Sequence, residues 1–343
     1  MNISWGIFSK YKTELYGFAI LWIMLFHGII LKNTILPSKL RFLTKFLEHG
    51  NCGVEIFLFL SGICLFFSMR KDSDSLAFIR KRLVRIFFPL LIIDGCYWAY
   101  TCIIQKHSIS IFLQKVTLID FWISGNQQVW FIAIIVPLYL IYPFIYHKIL
   151  CAFERKKKWL IITMLCVFVY GIAFYLYCNH FNYYKMIEIA FTRIPVFLLG
   201  CCCGNLVYEN KPISKYVLII SFIGLLMGFA FFYTGKLPLV KLARTPYLVI
   251  GPCLALWICI LIDKINSTSI NQIMALFGEV SLELYIIHIL LRTIANTVQL
   301  YGINNVLNYY KYIFFVVLSS YTISKIVNVL YHRFQKAIYC KMF

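Results

Sequence analysis

The sequence predicts an all-α, polytopic transmembrane bundle with about ten spans and both termini in the cytoplasm. Of its 343 residues, 62% are apolar and 13% are charged, whereas a soluble domain carries about 25% charged residues. The apolar residues fall in blocks of roughly 17–25, the length that a helix needs to cross the hydrocarbon core. The alternating pattern of membrane barrels does not occur. We therefore expect one helical membrane domain over residues 1–343.

The apolar blocks predict ten helices joined by short loops, without internal repeats or a soluble appendage. These helices cover residues 15–31, 52–69, 86–105, 129–147, 159–178, 189–208, 216–234, 247–263, 273–297 and 312–331. The first block lacks a small-residue cleavage site and further spans follow it, so we expect no cleavable signal peptide.

The charges in the loops predict the orientation. With the N-terminus inside, cytoplasmic segments hold 19 Lys and Arg residues and outer loops hold 11, and positive residues favour the cytoplasmic side. A first outer loop with Lys32, Lys39, Arg41 and Lys45 runs against this bias. The net charge of +20 is explained by orientation and by contact with anionic membrane lipids. We therefore expect no nucleic-acid partner.

The thirteen cysteines are interpreted as small apolar residues. Most lie inside predicted spans, where cysteine usually fills space between helices. The run at residues 201–203 lacks metal-ligand spacing. We therefore expect neither a metal site nor a bound cofactor.

His27 lies deep in the first span, where an ionisable side chain is costly and suggests function. At 1.5 Å per residue it lies roughly 18 Å from the inner end, past the midplane. Glu55 lies just inside the outer end of the antiparallel second span, so both residues fall in the outer half. A carboxylate beside an imidazole fixes its tautomer and raises its basicity, which would make a general base. The alternative is a polar pair that only packs the two helices together.

A basic stretch at residues 78–89 contains Arg80, Arg82 and Arg85 on the predicted cytoplasmic side. Arg82 and Arg85 are spaced i, i+3 and so share one helix face. Pro89 marks a kink or the point where the helix enters the membrane. Guanidinium groups bind phosphate in a bidentate manner, which favours a phosphorylated ligand. The alternative is that these side chains anchor the protein to lipid headgroups.

Three further ionisable residues lie inside predicted spans. Asp94 and Glu283 fall in the inner halves of spans three and nine, where they could pair with Arg82 or Arg85 or line a polar cavity. His288 is mid-span and could face the same cavity. For each of the three, a structural hydrogen bond to a neighbouring helix is an equal alternative.

Six ordered blocks carry a resemblance to a known family. Residues 19–27 end at His27, and residues 53–62 place an acidic residue and aromatics before Ser-Gly. Residues 78–89 hold an Arg-x-x-Arg pattern. The other blocks are Trp130-Phe-Ile with Pro137 to Pro143, residues 193–200 from Arg193 onward, and residues 277–288 with Ser281, Tyr285 and His288. Together they resemble the acyltransferase 3 family of integral membrane acyltransferases over nearly the whole chain.

The chain departs from that family at two points. The family often has an arginine eleven residues before the first-span histidine, where this sequence has Tyr16. Lys12 and Lys10 are the candidates to replace it. The sequence also ends at Phe343, so we expect none of the soluble esterase-like domain that some members append. The acceptor would then be handled by the membrane unit or by a partner.

The resemblance implies transfer of an acyl group, usually acetyl, from cytoplasmic acyl-coenzyme A to a sugar hydroxyl. It implies an integral protein of a bacterial-type cytoplasmic membrane, with membrane lipids and a glycan or glycolipid acceptor as partners. Direct transfer and an acyl-histidine intermediate are both open, and no oligomeric state is predicted. The site residues expected are His27 and Glu55 for catalysis, Arg82, Arg85 and Arg80 for the donor, and Trp130, Arg193, Ser281, Tyr285 and His288 around the cavity.

Other classes remain as alternatives. A transporter or flippase for a lipid-linked sugar would also need many helices and buried charges, although the sequence shows neither repeats nor paired broken helices. A polymerase or ligase of polyprenyl-linked glycans would place its chemistry in a large outer loop. The longest one here, about 106–128, carries only Lys106 and Lys115 as Lys or Arg. A structural scaffold would not explain His27 and Glu55.

Overall fold

A computed structural model of the chain describes residues 3–30, 41–234, 245–297 and 311–340. Within these ranges the chain is helical, and its one extended pairing is a bridge between Ser4 and Pro212. The main helices are α1 (Lys12–Ile30), α2 (Gly53–Lys71), α3 (Ser75–Leu90), α4 (Trp130–Ile145), α5 (Arg155–Asn179), α6 (Phe181–Phe191), α7 (Ile194–Tyr208), α8 (Lys215–Thr234), α9 (Thr245–Ile265), α10 (Thr268–Glu279), α11 (Ser281–Thr297) and α12 (Ser319–Cys340). Short helices at Ile7–Lys10, Arg41–Glu48, Ile109–Val116 and Ile119–Ser124 lie between them.

Six helices in the described ranges are long and apolar enough to cross a membrane, or seven if one bent pair counts as a span. They are Gly50–Lys71, Trp130–Leu150, Arg155–Asn179, Phe181–Tyr208, Pro246–Ile265 and Phe314–Ala337. These helices confirm the predicted polytopic helical fold. The count of ten and the side on which the termini lie stay predictions. Lys32 and Lys39 of the predicted first outer loop lie outside the described residues.

The predicted ninth span, residues 273–297, is broken. Helices α10 and α11 meet at Val280 with a bend of 70°, so α11 starts anew at Ser281 inside the bundle. Hydrophobicity predicted one continuous helix because both halves are apolar and the break contains no proline. The break places the first turn of α11, with the buried carboxylate Glu283, next to α3.

The predicted third span also begins earlier than its apolar block. The side chain of Asp74 accepts a hydrogen bond from the Leu76 N–H at 2.9 Å and caps α3, as an N-terminal aspartate does. The helix passes through Pro89 and continues in wide π-type turns from Leu91 to Gly95. The basic stretch is therefore the first half of a helix that continues into the apolar block.

Two helix pairs in the core touch through glycines. At Gly200 in α7 a Cβ would overlap the carbonyl oxygen of Phe59 in α2, and at Gly62 in α2 it would lie 2.6 Å from the Cys201 nitrogen. Gly17 in α1 meets α10 backbone to backbone in the same way. Such close approach is typical of helix pairs in membranes, where small residues let the backbones pack.

The N-terminal segment lies at the same end of the bundle as the loop after α7. The Trp5 N–H donates to the Lys211 carbonyl at 2.8 Å, and the Ile213 N–H donates to the Ile3 carbonyl at 2.9 Å. Lys10 forms an ion pair with Asp263, near the end of α9, at 2.6 Å. These segments were all predicted to be cytoplasmic, and they do share one end.

We expect the Gly200→Ala substitution to destabilise the protein by about 1–3 kcal/mol, because the added methyl group overpacks the α2–α7 contact. The measurement is the apparent melting temperature of purified protein in detergent. The matched control is Gly171→Ala in α5, where a Cβ would have no heavy atom within 4 Å. Alanine favours a helix over glycine by about 1 kcal/mol, so the control should hold or raise the melting temperature. Equal losses in both variants would contradict close packing at Gly200.

Candidate functional site

The ring of His27 contacts another histidine. Its Nδ1 lies 3.0 Å from Nε2 of His288 in α11, and the two rings stack with centroids 5.2 Å apart. His27 is half-buried in the last part of α1, whereas His288 is fully buried. The sequence named both residues but did not predict this pair, because 261 positions separate them.

The predicted contact between Glu55 and His27 is wrong. Oε1 of Glu55 instead accepts a hydrogen bond from Nε of Arg193 at 2.6 Å, and both side chains are 1% exposed. Arg193 also donates to the carbonyl oxygens of Ile189 at 2.9 Å and Asn51 at 3.2 Å. The rise per residue gives depth along a helix but not the direction in which a side chain points, so α7 and not α1 meets this carboxylate.

An aromatic wall, formed by Trp130, Phe131 and Tyr285, connects the buried ion pair to the histidines. The guanidinium carbon of Arg193 lies 4.6 Å from the Trp130 ring centroid. The Phe131 and Tyr285 rings pack edge to face at 5.3 Å, and the Tyr285 and His288 rings do so at 5.9 Å. The Tyr285 hydroxyl accepts a hydrogen bond from the Phe131 N–H at 3.4 Å. Four predicted cavity residues therefore belong to one buried cluster.

The arginines of α3 have different surroundings. Arg85 makes two hydrogen bonds to the fully buried carboxylate of Glu283, at 2.5 and 3.1 Å, which confirms one of the predicted pairings. Arg82 donates to the Ser68 hydroxyl in α2 and has no carboxylate partner among the described residues. Arg80, the third residue expected to bind the donor, is exposed on the other side of α3 and does not line the cavities that Arg82 lines.

Asp94 does not pair with either arginine. Its Oδ1 accepts a hydrogen bond from Nε2 of Gln128 at 3.4 Å, and Gln128 in turn accepts one from the Trp98 indole at 3.4 Å. Asp94 is buried. Of the two carboxylates predicted near the arginines, only Glu283 lies there.

Two cavities meet at Arg82 and Arg85. The first, which we call the central cavity, has a cavity volume of about 120 Å³. Its lining is mostly apolar and aromatic and includes Tyr16, Phe57, Ser61, Arg82, Arg85, Phe131, Tyr139, Ser281 and Tyr285. The second, the basic vestibule, is lined by Ser68, Lys71, Asp72, Phe78, Lys81, Arg82, Arg85, Tyr331 and Gln335. The basic vestibule therefore adjoins the mostly apolar central cavity at Arg82 and Arg85. The central cavity is also lined by Tyr285, whose ring touches His288.

One carboxylate lies in the basic vestibule. Asp72 pairs with Lys81 at 3.4 Å. The backbone N–H of Asp74 and the Lys81 ammonium hold the pKa of the Asp72 carboxyl below its usual value. Asp72 therefore offsets the charge of Lys81, and Lys71 and Arg82 are the cations left to meet an anion.

Tyr16 lines the central cavity at the position where the family resemblance expects arginine. Lys10 is engaged by Asp263. Lys12 lines a third cavity together with Tyr16, Lys71 and Arg82. Of the two lysines predicted as replacements, Lys12 is thus the one that lies beside Arg82.

Comparison with known proteins identifies the family to which the chain belongs. The family model of the acyltransferase 3 family, described as an acyltransferase domain, matches residues 16–325. No curated protein and no solved structure matches the chain significantly.

We expect Glu55→Ala and Arg193→Ala each to lower the free energy of unfolding by about 3–5 kcal/mol, because each leaves an unpaired buried charge. The double variant Glu55→Leu with Arg193→Met should recover much of that loss, since it buries no charge. The measurement is the yield of monodisperse protein and its melting temperature in detergent. A Glu55→Ala protein that folds like the wild type and loses only activity would contradict this structural role.

Proposed function

The chain belongs to the acyltransferase 3 family, and from that membership we propose that it moves an acyl group, usually acetyl, from acyl-coenzyme A to a hydroxyl of a cell-surface glycan. It is a membrane acyltransferase by its family and its apolar helices. The observation that supports the finer proposal is that the central cavity extends from Arg82 and Arg85 to Tyr285, whose ring packs against His288, the partner of His27. We assign it to a bacterial-type cytoplasmic membrane, with the vestibule facing the cytoplasm.

The basic vestibule suits the phosphate-bearing end of coenzyme A. Arg82 has a guanidinium without a carboxylate partner among the described residues, and Lys71 and Lys12 lie beside it. Charge-assisted hydrogen bonds to phosphate are shorter and stronger than neutral ones. Arg85 contributes less charge, because Glu283 neutralises it.

The central cavity suits the remainder of the donor. The pantetheine arm is long and uncharged, so it can extend from the arginines along the apolar walls without burying a charge. The thioester would then reach the region of Tyr285, whose ring touches His288.

His27 is the proposed general base. It takes the proton from the acceptor hydroxyl as the oxygen attacks the thioester carbonyl. The new bond joins that oxygen to the acyl carbon, the carbon–sulfur bond breaks, and the proton passes from His27 to the departing thiolate. Free coenzyme A and the glycan ester are the products, and the proposed step requires no external oxidant or metal.

We expect His27→Ala to lower acyl transfer by about 10²-fold or more, the contribution of a positioned base. The measurement uses protein in nanodiscs with radiolabelled acetyl-CoA and an envelope glycan extract, following both free thiol and labelled ester. The control is His180→Ala, which removes an exposed histidine at the end of α5 and should keep the wild-type rate. Undiminished transfer by the His27 variant would rule out the base role.

A flippase for a lipid-linked sugar is the second candidate, and the bend of 70° between α10 and α11 favours it, because transporters build sites at broken helices. The same assay separates the two functions. Release of free thiol by the wild-type protein supports the acyltransferase. Transbilayer movement of a labelled polyprenyl-linked sugar without thiol release supports the flippase.

We expect Arg82→Ala to raise the KM for acyl-CoA about ten- to a hundredfold, as the loss of a charged hydrogen bond of about 1.5–3 kcal/mol implies. Arg80→Ala is the matched control, since it removes the same charge from the exposed side of α3. Arg85→Ala should instead reduce the yield of folded protein, and adding Glu283→Gln should restore it. Equal KM values for the Arg80 and Arg82 variants would favour lipid anchoring for both.

A further inference from the structure

We propose that His288 is a positioning residue that fixes the tautomer of His27, so that Nε2 of His27 carries the lone pair that accepts the proton. The proposal deepens the proposed function and rests on it for its role in catalysis. The hydrogen-bond geometry that carries it is independent of any substrate.

The first step concerns His288. Its Nδ1 lies 2.7 Å from the carbonyl oxygen of Leu284, one turn earlier in α11. A carbonyl oxygen can only accept a hydrogen bond, so Nδ1 of His288 must carry the proton. In a neutral imidazole the other nitrogen, Nε2, then has a free lone pair and can only accept.

The second step passes this constraint to His27. Nε2 of His288 lies 3.0 Å from Nδ1 of His27. Because the first nitrogen can only accept, Nδ1 of His27 must donate and therefore carries the proton. Nε2 of His27 is left unprotonated, which is the state that a general base requires.

The proposed tautomer of His27 requires a neutral His288, and the surroundings of His288 favour the neutral ring. Its side chain is 0% exposed, and an unpaired charge is costly in such a place. The only charged group among the described residues that acts on either ring is the Arg292 guanidinium, one turn farther along α11, which disfavours a second positive charge. Neither ring contacts a carboxylate among the residues that the structure describes.

The packing holds both rings in place. The His27 and His288 rings are nearly parallel, with 26° between their planes. The Tyr285 ring meets the His288 ring edge to face. During transfer the hydroxyl proton moves to Nε2 of His27, and the resulting imidazolium keeps donating from Nδ1 to His288. When the carbon–sulfur bond breaks, the proton on Nε2 goes to the thiolate and the pair returns to its starting state.

The kinetic test compares three substitutions at one position. His288→Leu removes the acceptor, and we expect kcat to fall about 10²-fold, with the KM for acetyl-CoA within about twofold of the wild type because the donor contacts are remote. His288→Gln can place its Oε1 near the position of Nε2, so it should recover most of that loss. His288→Asn is too short to do so and should behave like the leucine variant. Equal activity of the glutamine and leucine variants would overturn the proposal.

The spectroscopic test needs no turnover. Nitrogen-15 NMR of protein with labelled histidine distinguishes a protonated from an unprotonated ring nitrogen, and the His27 signals are identified by their loss in His27→Ala. In the wild type we expect Nδ1 of His27 to be protonated and Nε2 of His27 to be unprotonated. That pattern should be lost in His288→Leu and kept in the control His180→Leu.

The kinetic and spectroscopic tests distinguish a failure of the His288 role from a failure of the proposed function. Protonated Nε2 on His27 in the wild-type spectrum would overturn the proposed positioning role of His288, even in an active enzyme. This outcome does not depend on whether His288→Leu folds. A wild-type protein with the expected tautomer that releases no thiol from acetyl-CoA would instead contradict the proposed function. In that case the histidine geometry would stand without its catalytic role.

Discussion

The pairing of buried charges is the constraint on which the rest of the site depends. Three carboxylates are buried among the described residues. Two of them pair with arginines that are distant in sequence, Glu55 with Arg193 and Glu283 with Arg85, whereas Asp94 accepts a hydrogen bond from the Gln128 amide. A lone buried charge is costly, and breaking such a pair leaves one behind. With these four residues paired, Arg82 is the α3 arginine in the central cavity without a carboxylate partner in the described part of the chain, and there neither His27 nor His288 contacts a carboxylate.

In the proposed mechanism, that distribution of charge places the binding of the donor phosphates and the proton transfer in different parts of the bundle. The basic vestibule carries its cations at the opening of the bundle, where a phosphorylated molecule can approach from water. The interior of the central cavity is lined by aromatic and aliphatic side chains, which accept an uncharged arm at low desolvation cost. The broken helix joins the two regions, because the first turn of α11 holds Glu283 against Arg85 and the following turns carry Tyr285 and His288. One helix, α11, thus contacts both Arg85 and His27, and in the proposed mechanism it links the donor site to the base.

Much of this was predictable from the sequence, and the part that was not has a physical cause. The apolar blocks predicted the helical fold. The ionisable residues within them pointed to His27 and His288, and the resemblance to the family added Arg193 and Tyr285 to the expected site. Periodicity gives the depth of a side chain in the membrane but not the rotation of its helix against neighbours. Glu55 was therefore assigned the wrong partner. The bend at Val280 was missed because neither proline nor a polar run marks it in the sequence.

In the proposed mechanism a neutral group, His288, orients the base His27, and burial in a membrane protein explains why a neutral group is favourable there. A carboxylate beside His27 would stabilise the imidazolium, but it would also need burial at a depth where charge is expensive. A histidine that donates to a backbone carbonyl fixes the same tautomer without adding charge. The thioester and the hydroxyl are both neutral, so charge arises at His27 only during transfer. In the proposed mechanism the product thiolate forms beside the imidazolium that reprotonates it, while the phosphates of coenzyme A stay with Arg82 in the basic vestibule.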